Sequence, residues 1–123
     1  MNHIFTAKTQ LKDVLTLAGL KVLDYIPERL TPPVVVISAG AEYLRQANMT
    51  NDYVLGLEVN LVATTATNLE AQKALDQLIQ DFVNALPGYA DLQSVGQPYA
   101  LSANAAEYLA ATATLNLYIT LKD

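Results

Sequence analysis

Residues 53–86 read YVLGLEVNLVATTATNLEAQKALDQLIQDFVNAL, and this stretch decides the fold. Apolar and polar residues alternate through its first half, a pattern typical of a half-buried β-strand. The set that faces inward is Leu55, Leu57, Val59, Leu61 and Ala63. Gly56 lies inside the same run, and a glycine within a strand indicates a bulge or the close approach of another segment. The pattern predicts one long strand over residues 53–64.

The second half of the stretch has the spacing of an amphipathic helix. Its apolar residues recur every three or four positions, as Leu75, Leu78, Ile79, Phe82, Val83 and Leu86. Thr67 or Asn68 is placed to cap this helix. Glu70 lies in its first turn, where a negative charge is favourable, and Pro87–Gly88 is a stop signal. We therefore predict that a helix follows the strand directly.

Upstream of this stretch, the sequence predicts another helix and an apolar strand. The helix is expected to begin at Thr6 or Thr9 and to end near Asp24, with Gly19 as a weak point inside it. The run Val34–Ser38 is apolar without alternation, which is typical of a strand buried on both faces. A turn at Gly40 follows, then residues 43–45 as a short strand or loop, and an exposed loop over residues 46–52.

Downstream, residues 87–92 are predicted to be a connection whose Leu92, together with Val95, touches the core. Strands are predicted over Tyr99–Asn104 and Glu107–Leu121. The whole chain, residues 1–123, then forms a single α+β domain in the order α-β-β-α-β-β, with two helices packed on one face of a mostly antiparallel four-stranded sheet. The predicted core is Leu57, Val59, Leu61, Leu78, Phe82, Leu115 and Leu117.

Composition and charge exclude several classes of protein. The chain has 123 residues, of which 52% are hydrophobic, and it has no cysteine, so a disulfide framework and a thiolate metal site are excluded. The net charge of −5 is uneven: residues 1–50 contain five basic and four acidic side chains, and residues 51–123 contain two basic and eight acidic ones. This balance argues against binding to a phosphate backbone. Without the pattern of a secretory signal or a long apolar run, we expect a soluble protein that is not exported.

The sequence offers no recognisable catalytic arrangement. His3 is the only histidine and lies next to the terminus, where we expect it to be frayed and inert. Asp76 and Asp81 are five residues apart on the predicted helix, so they are not neighbours on its surface. Without a histidine partner, the serines cannot form a serine-hydrolase triad. We therefore expect no catalytic residue, no cofactor and no metal ion, and we predict that the protein is not an enzyme.

Two polar features are open to more than one interpretation. The chain has seven tyrosines and two phenylalanines, which suits a protein interface and equally the edges of strands. The two long strands also share a polar face, formed by Glu58, Asn60, Thr112, Thr114, Asn116 and Tyr118. This face is either solvated, or a subunit contact or channel wall.

A set of residues along the chain resembles a known family. It consists of Pro33–Ile37 followed by Gly40 and Tyr43–Leu44, then Glu58–Ala63, then Asn68, Ala71, Leu75, Asp76, Leu78 and Ile79. This pattern of element order and residue type extends over roughly residues 25–86. It resembles the small tail-completion proteins of long-tailed bacteriophages, in particular the tail terminator (tail-to-head joining) proteins of phages with non-contractile tails.

The resemblance implies a virion protein, assembled in the host cytoplasm, that forms a hexameric ring on the end of the tail tube. Such a ring stops elongation of the tail tube protein and docks the head-tail connector protein. DNA passes through it without specific binding, and no membrane is involved. Subunit contacts are then expected at Val34, Val36, Tyr43 and Tyr53, and Glu58 and Asn60 are expected to face the lumen. The alternatives are a head-completion or connector protein of the same virion, and a small non-enzymatic adaptor domain.

Overall fold

The computed structural model of the protein describes residues 2–23, 33–47, 52–65, 69–103 and 106–120. In chain order, their helices and strands are α1 (His3–Leu17), β1 (Val22–Leu23), β2 (Val34–Gln46), β3 (Asp52–Thr65), α2 (Leu69–Ala85), β4 (Ala90–Val95), β5 (Tyr99–Ala103) and β6 (Ala106–Thr120). The predicted features at Asp24, Thr67, Asn68 and Leu121, and residues 48–51 of the predicted loop, lie outside the described residues.

The strands form one mixed sheet, so the predicted four-stranded sheet is wrong. In the described part of the chain the sheet has six strands in the order β1-β2-β3-β6-β4, with β5 also paired to β6. The strand count becomes seven if β2 is divided at its bulge. β1 runs parallel to β2, and the other described pairs are antiparallel. The extra strands β1 and β4 are only two and six residues long, too short for a clear period in the sequence.

Gly19 ends helix α1, so the predicted continuation to Asp24 is wrong. Its φ angle is 96°, a left-handed conformation that glycine adopts more readily than other residues and that commonly terminates helices. The last helical residue is Leu17. The chain then joins the sheet, where the carbonyl oxygen of Lys21 accepts a 2.8 Å hydrogen bond from the backbone N–H of Val35.

At its other end, α1 begins earlier than the sequence predicted. The side chain of Asn2 accepts a 3.0 Å hydrogen bond from the backbone N–H of Phe5, which satisfies one of the free donors of the first turn. His3 therefore lies in the first turn of a capped helix rather than in a frayed terminus.

The central strands β3 and β6 carry the core. Leu57 lies opposite Leu115, and Val59 lies opposite Ala113. Both helices contribute to the one apolar cluster on this side of the sheet, through residues such as Leu11 and Phe82. All seven residues predicted to form the core are buried, which confirms that prediction.

A bulge in β2 replaces the turn that was predicted at Gly40. Ala39 pairs with Leu57, and Leu44 pairs with Leu55, so residues 40–43 of β2 lie opposite Gly56 alone. The strand continues through the bulge to Gln46. The bulge or close approach that Gly56 indicated is confirmed.

β4 and β5 lie one after the other along the same edge of β6. β4 pairs with residues 113–117 of β6, and β5 pairs with residues 106–110. Between them, the backbone N–H of Gly96 donates a 2.8 Å hydrogen bond to the carbonyl oxygen of Thr112. Leu92 and Val95 pack against the core, as predicted.

The open face of the sheet is the face away from both helices. Its residues alternate with the core residues, and its first part is apolar: Val34, Val36, Val62, Tyr108 and Ala110 form a separate buried cluster there. Since Val35 and Ile37 are buried in the main core, β2 begins buried on both faces, as its uninterrupted apolar run predicted.

Candidate functional site

The second part of the open face is polar, and it is the candidate site. Glu58 lies opposite Thr114, Asn60 lies opposite Thr112, and Gly56 lies opposite Asn116. Residues directly opposite each other in an antiparallel pair share a face. The register therefore confirms that the polar residues predicted from β3 and β6 lie together.

A hydrogen-bonded group connects three strands on this face. The hydroxyl of Thr112 donates a 2.9 Å hydrogen bond to Oδ1 of Asn60. The hydroxyl of Tyr99 lies 3.4 Å from the same oxygen and 3.2 Å from Oγ1 of Thr112. Because Tyr99 belongs to β5, these bonds hold β5 against β3 and β6 just beyond the break at residues 96–98.

A shallow groove of about 400 Å³ lies beside this group, and we name it the trough. Its polar lining comes from four strands: Glu42 and Arg45 of β2, Glu58 of β3, Thr114 and Asn116 of β6, and Gln93 of β4. Gly40 and Gly56 also line it. At its bulge, β2 lies close against Gly56: a β-carbon on Gly56 would meet the backbone carbonyl of Glu42, and one on Gly40 would meet the backbone of Gly56.

Some side chains of the trough pair with a described neighbour, and Glu58 does not. Nε of Arg45 lies 3.3 Å from Oε1 of Glu42, and both side chains are at least half exposed. Gln93 donates a 2.8 Å hydrogen bond from Nε2 to Oδ2 of Asp91, which also lies 3.4 Å from the hydroxyl of Tyr118. Glu58 is half-buried, and no described residue pairs with its carboxylate. Among the described residues that line the trough, no basic side chain therefore balances the charge of Glu58.

A second groove lies between α1 and the end of the sheet. It is lined by His3, Thr6, Gln10, Tyr89, Tyr118 and Thr120, among others. Burial raises the pKa of the Tyr89 hydroxyl above its ordinary value.

The four residues predicted to form subunit contacts differ in how deeply the subunit itself buries them. Val34 and Val36 are 1% and 3% exposed within the subunit, so they offer little surface to a neighbour. Tyr43 is half-buried against the core, with Nζ of Lys8 at 5.4 Å from the centre of its ring. Tyr53 is half-buried at the end of β3. Their role in a subunit contact stays a prediction.

The predicted lumen residues Glu58 and Asn60 lie side by side on the open face, and their facing a lumen also stays a prediction. Sequence reasoning missed the rim of the trough, formed by Glu42, Arg45 and Gln93. The pair Gly40 and Gly56 signals a bulge, but the sequence does not show which side chains the bulge presents.

The described residues contain no group of three or more histidine or carboxylate side chains that would hold a metal ion. The hydroxyl of Ser38 donates a 3.1 Å hydrogen bond to the carbonyl oxygen of Glu58, which is a structural contact between strands. Neither α1 nor α2 is long and apolar enough to cross a membrane.

No family model matches the chain, and no curated protein matches its sequence.

Proposed function

We propose that this protein is a phage tail terminator, a structural subunit that forms a six-membered ring on the end of the tail tube. The ring stops elongation of the tube and offers a docking surface for the head connector. The proposal begins from the resemblance of Pro33–Ile37, Glu58–Ala63 and the residues of α2 to that family.

The observation that carries the proposal is the charge of the open face. Its described carboxylates include Asp52, Glu58 and Asp91, whereas Arg45, the basic residue beside them, is paired with Glu42. A surface of this kind repels the phosphate backbone instead of binding it. It suits the wall of a passage through which DNA must move without being held.

The adaptor alternative is favoured by one observation, the trough. Small α+β domains commonly bind ligands on such a sheet, so a polar groove in its middle is compatible with a binding module. The two functions differ in assembly: an adaptor of this size stays small and does not associate with tail tubes.

The deciding experiment assembles tail tubes from tail tube protein with and without this protein and measures their lengths by electron microscopy. Capped tubes of uniform length with the protein, and tubes that keep growing without it, are the expected result. Native mass spectrometry of the capped ends should give six copies. A monomer that leaves tube length unchanged would reject the proposal and favour the adaptor. A protein found on the head connector but not on isolated tubes would favour the head-completion role.

A further inference from the structure

We infer that the trough on the open face binds an arginine side chain presented by another protein chain. The trough lies between two bulges at neighbouring levels of the central β3–β6 pair. The bulge of β2 lies opposite Gly56, and the bulge of β4 falls between Leu92 and Ser94, which pair with Leu115 and Thr114. Neighbouring strands are about 4.8 Å apart, so β2 and β4, which are separated by β3 and β6, lie roughly 14 Å from each other. That width admits one extended segment of a partner.

The polar atoms of the trough that have no hydrogen-bond partner among the described residues are mainly acceptors. The carboxylate of Glu58 has no partner among the described residues. The amide nitrogen of Gln93 donates a hydrogen bond to Asp91, and its carbonyl oxygen remains available as an acceptor. Thr114 and Asn116 can each accept as well as donate. The trough therefore matches a cation that carries several donors.

The protein itself does not supply that cation within the described residues. Arg45 stands on the rim, but its charge is already balanced by Glu42, whose Oε1 lies 3.3 Å from Nε of Arg45. A metal ion is disfavoured, because the described residues offer no cluster of three or more acidic or histidine ligands. The occupant is then an organic cation from outside.

Arginine fits this acceptor set better than lysine does. A guanidinium presents five N–H donors in one plane and pairs with a carboxylate through two parallel hydrogen bonds, whereas an ammonium is a point charge with three donors. The carboxylate of Glu58 would take the paired bonds, and the carbonyl oxygen of Gln93 would accept one more. This inference does not depend on the tail-terminator proposal, since an adaptor would use the trough in the same way.

The test is a titration of the ¹⁵N-labelled protein, followed by NMR, with the peptide acetyl-Gly-Ser-Arg-Ser-Gly-amide. The matched probe carries citrulline, which is neutral and nearly the same shape, in place of arginine. We expect saturable shifts of the amide signals of Glu58, Thr114 and Asn116, with affinity at least about tenfold weaker for the citrulline peptide. The lysine peptide should bind more weakly than the arginine peptide.

Two variants locate the site. Glu58→Gln should weaken binding of the arginine peptide by about tenfold. Glu107→Gln removes the same charge from an exposed position of β6 opposite Ser102, away from the trough, and should leave binding unchanged. The inference is overturned by equal affinity for the arginine and citrulline peptides, by shifts that map elsewhere, by no saturable binding, or by unchanged binding to Glu58→Gln. Should Glu58→Gln not fold, the citrulline comparison on the unaltered protein decides.

Discussion

The carbonyl oxygen of Glu42 occupies the space that a β-carbon on Gly56 would fill. Gly40, on the same bulge, also lies close to β3: a β-carbon there would lie 3.0 Å from the carbonyl carbon of Gly56. The bulge of β2 is therefore folded down onto the one residue of β3 that has no side chain. This contact sets the height of the rim of the trough, so the shape of the candidate site depends on a glycine.

Gly56→Ala should destabilise the protein by about 1–3 kcal/mol, the usual cost of forcing extra atoms into a packed site. The bulge has to move away from β3, because the obstructing atom belongs to the backbone. Urea unfolding measures the loss. Gly88→Ala is the matched control, since a β-carbon at Gly88 meets no atom within 4 Å. Equal stability of the two variants would show that the bulge does not press on Gly56.

Gly19→Ala should also destabilise the protein, for a different reason. A β-carbon at Gly19 meets no atom within 4 Å, but the φ angle of 96° disfavours any L-residue with a side chain. The expected loss is about 1–2 kcal/mol in the same urea experiment. If alanine is tolerated there as well as at Gly88, then α1 can end without a left-handed residue.

The sequence predicted the elements in which the apolar pattern repeats several times and missed those that are too short for it to repeat. The alternation of residues 53–64 and the helical spacing of residues 75–86 each repeat several times, so β3, α2 and the core around Phe82 were found. β1 contains two residues, and no period exists at that length. The end of α1 was missed because Gly19 weakens a helix interior and also terminates a helix, and the sequence does not distinguish the two.

The candidate site was predictable in part. That Glu58, Asn60 and Thr112 share a polar face follows from alternation alone. The trough does not follow from alternation, because it depends on two bulges that fall at neighbouring levels of strands distant in the sequence. The subunit itself buries Val34 and Val36, as their uninterrupted apolar run predicted, and the subunit contact that the resemblance implied for them stays a prediction.

Phe82→Ala should cost about 3–5 kcal/mol of unfolding free energy, since the side chain is fully buried in the core cluster. Its neighbour Val83 is 40% exposed. Val83→Ala should change stability by at most about 0.5 kcal/mol. Denaturant titration of both variants checks that α2 presents Phe82 to the sheet, and a loss below about 1 kcal/mol for Phe82→Ala would contradict that orientation.

Val36→Asp should prevent stable folding instead of producing a folded subunit that cannot form rings. The side chain is 3% exposed, and an unpaired buried charge costs about 3–5 kcal/mol or more. Leu17→Asp makes a similar change at a position that is 88% exposed, and should cost at most about 1 kcal/mol. Circular dichroism and urea unfolding compare the two. A stable Val36→Asp subunit that remains monomeric would instead support the subunit contact predicted from the sequence.

Glu58→Lys tests whether the open face lies along the path of DNA. If it does, the variant should still form rings and control tail length, but it should slow the release of DNA from assembled particles, because a lysine attracts the phosphate backbone that the carboxylate repelled. Raising the salt concentration should restore release, since screening shortens the range of the attraction to less than about 8 Å. Glu107→Lys, with the same change of charge away from the open face, serves as the control. Glu58→Gln separates this role from arginine binding, because it should weaken binding of the peptide by about tenfold while leaving DNA release near normal. The rate of DNA release is measured by the fluorescence of a DNA-binding dye. Equal release rates for Glu58→Lys and Glu107→Lys would show that Glu58 does not line the channel.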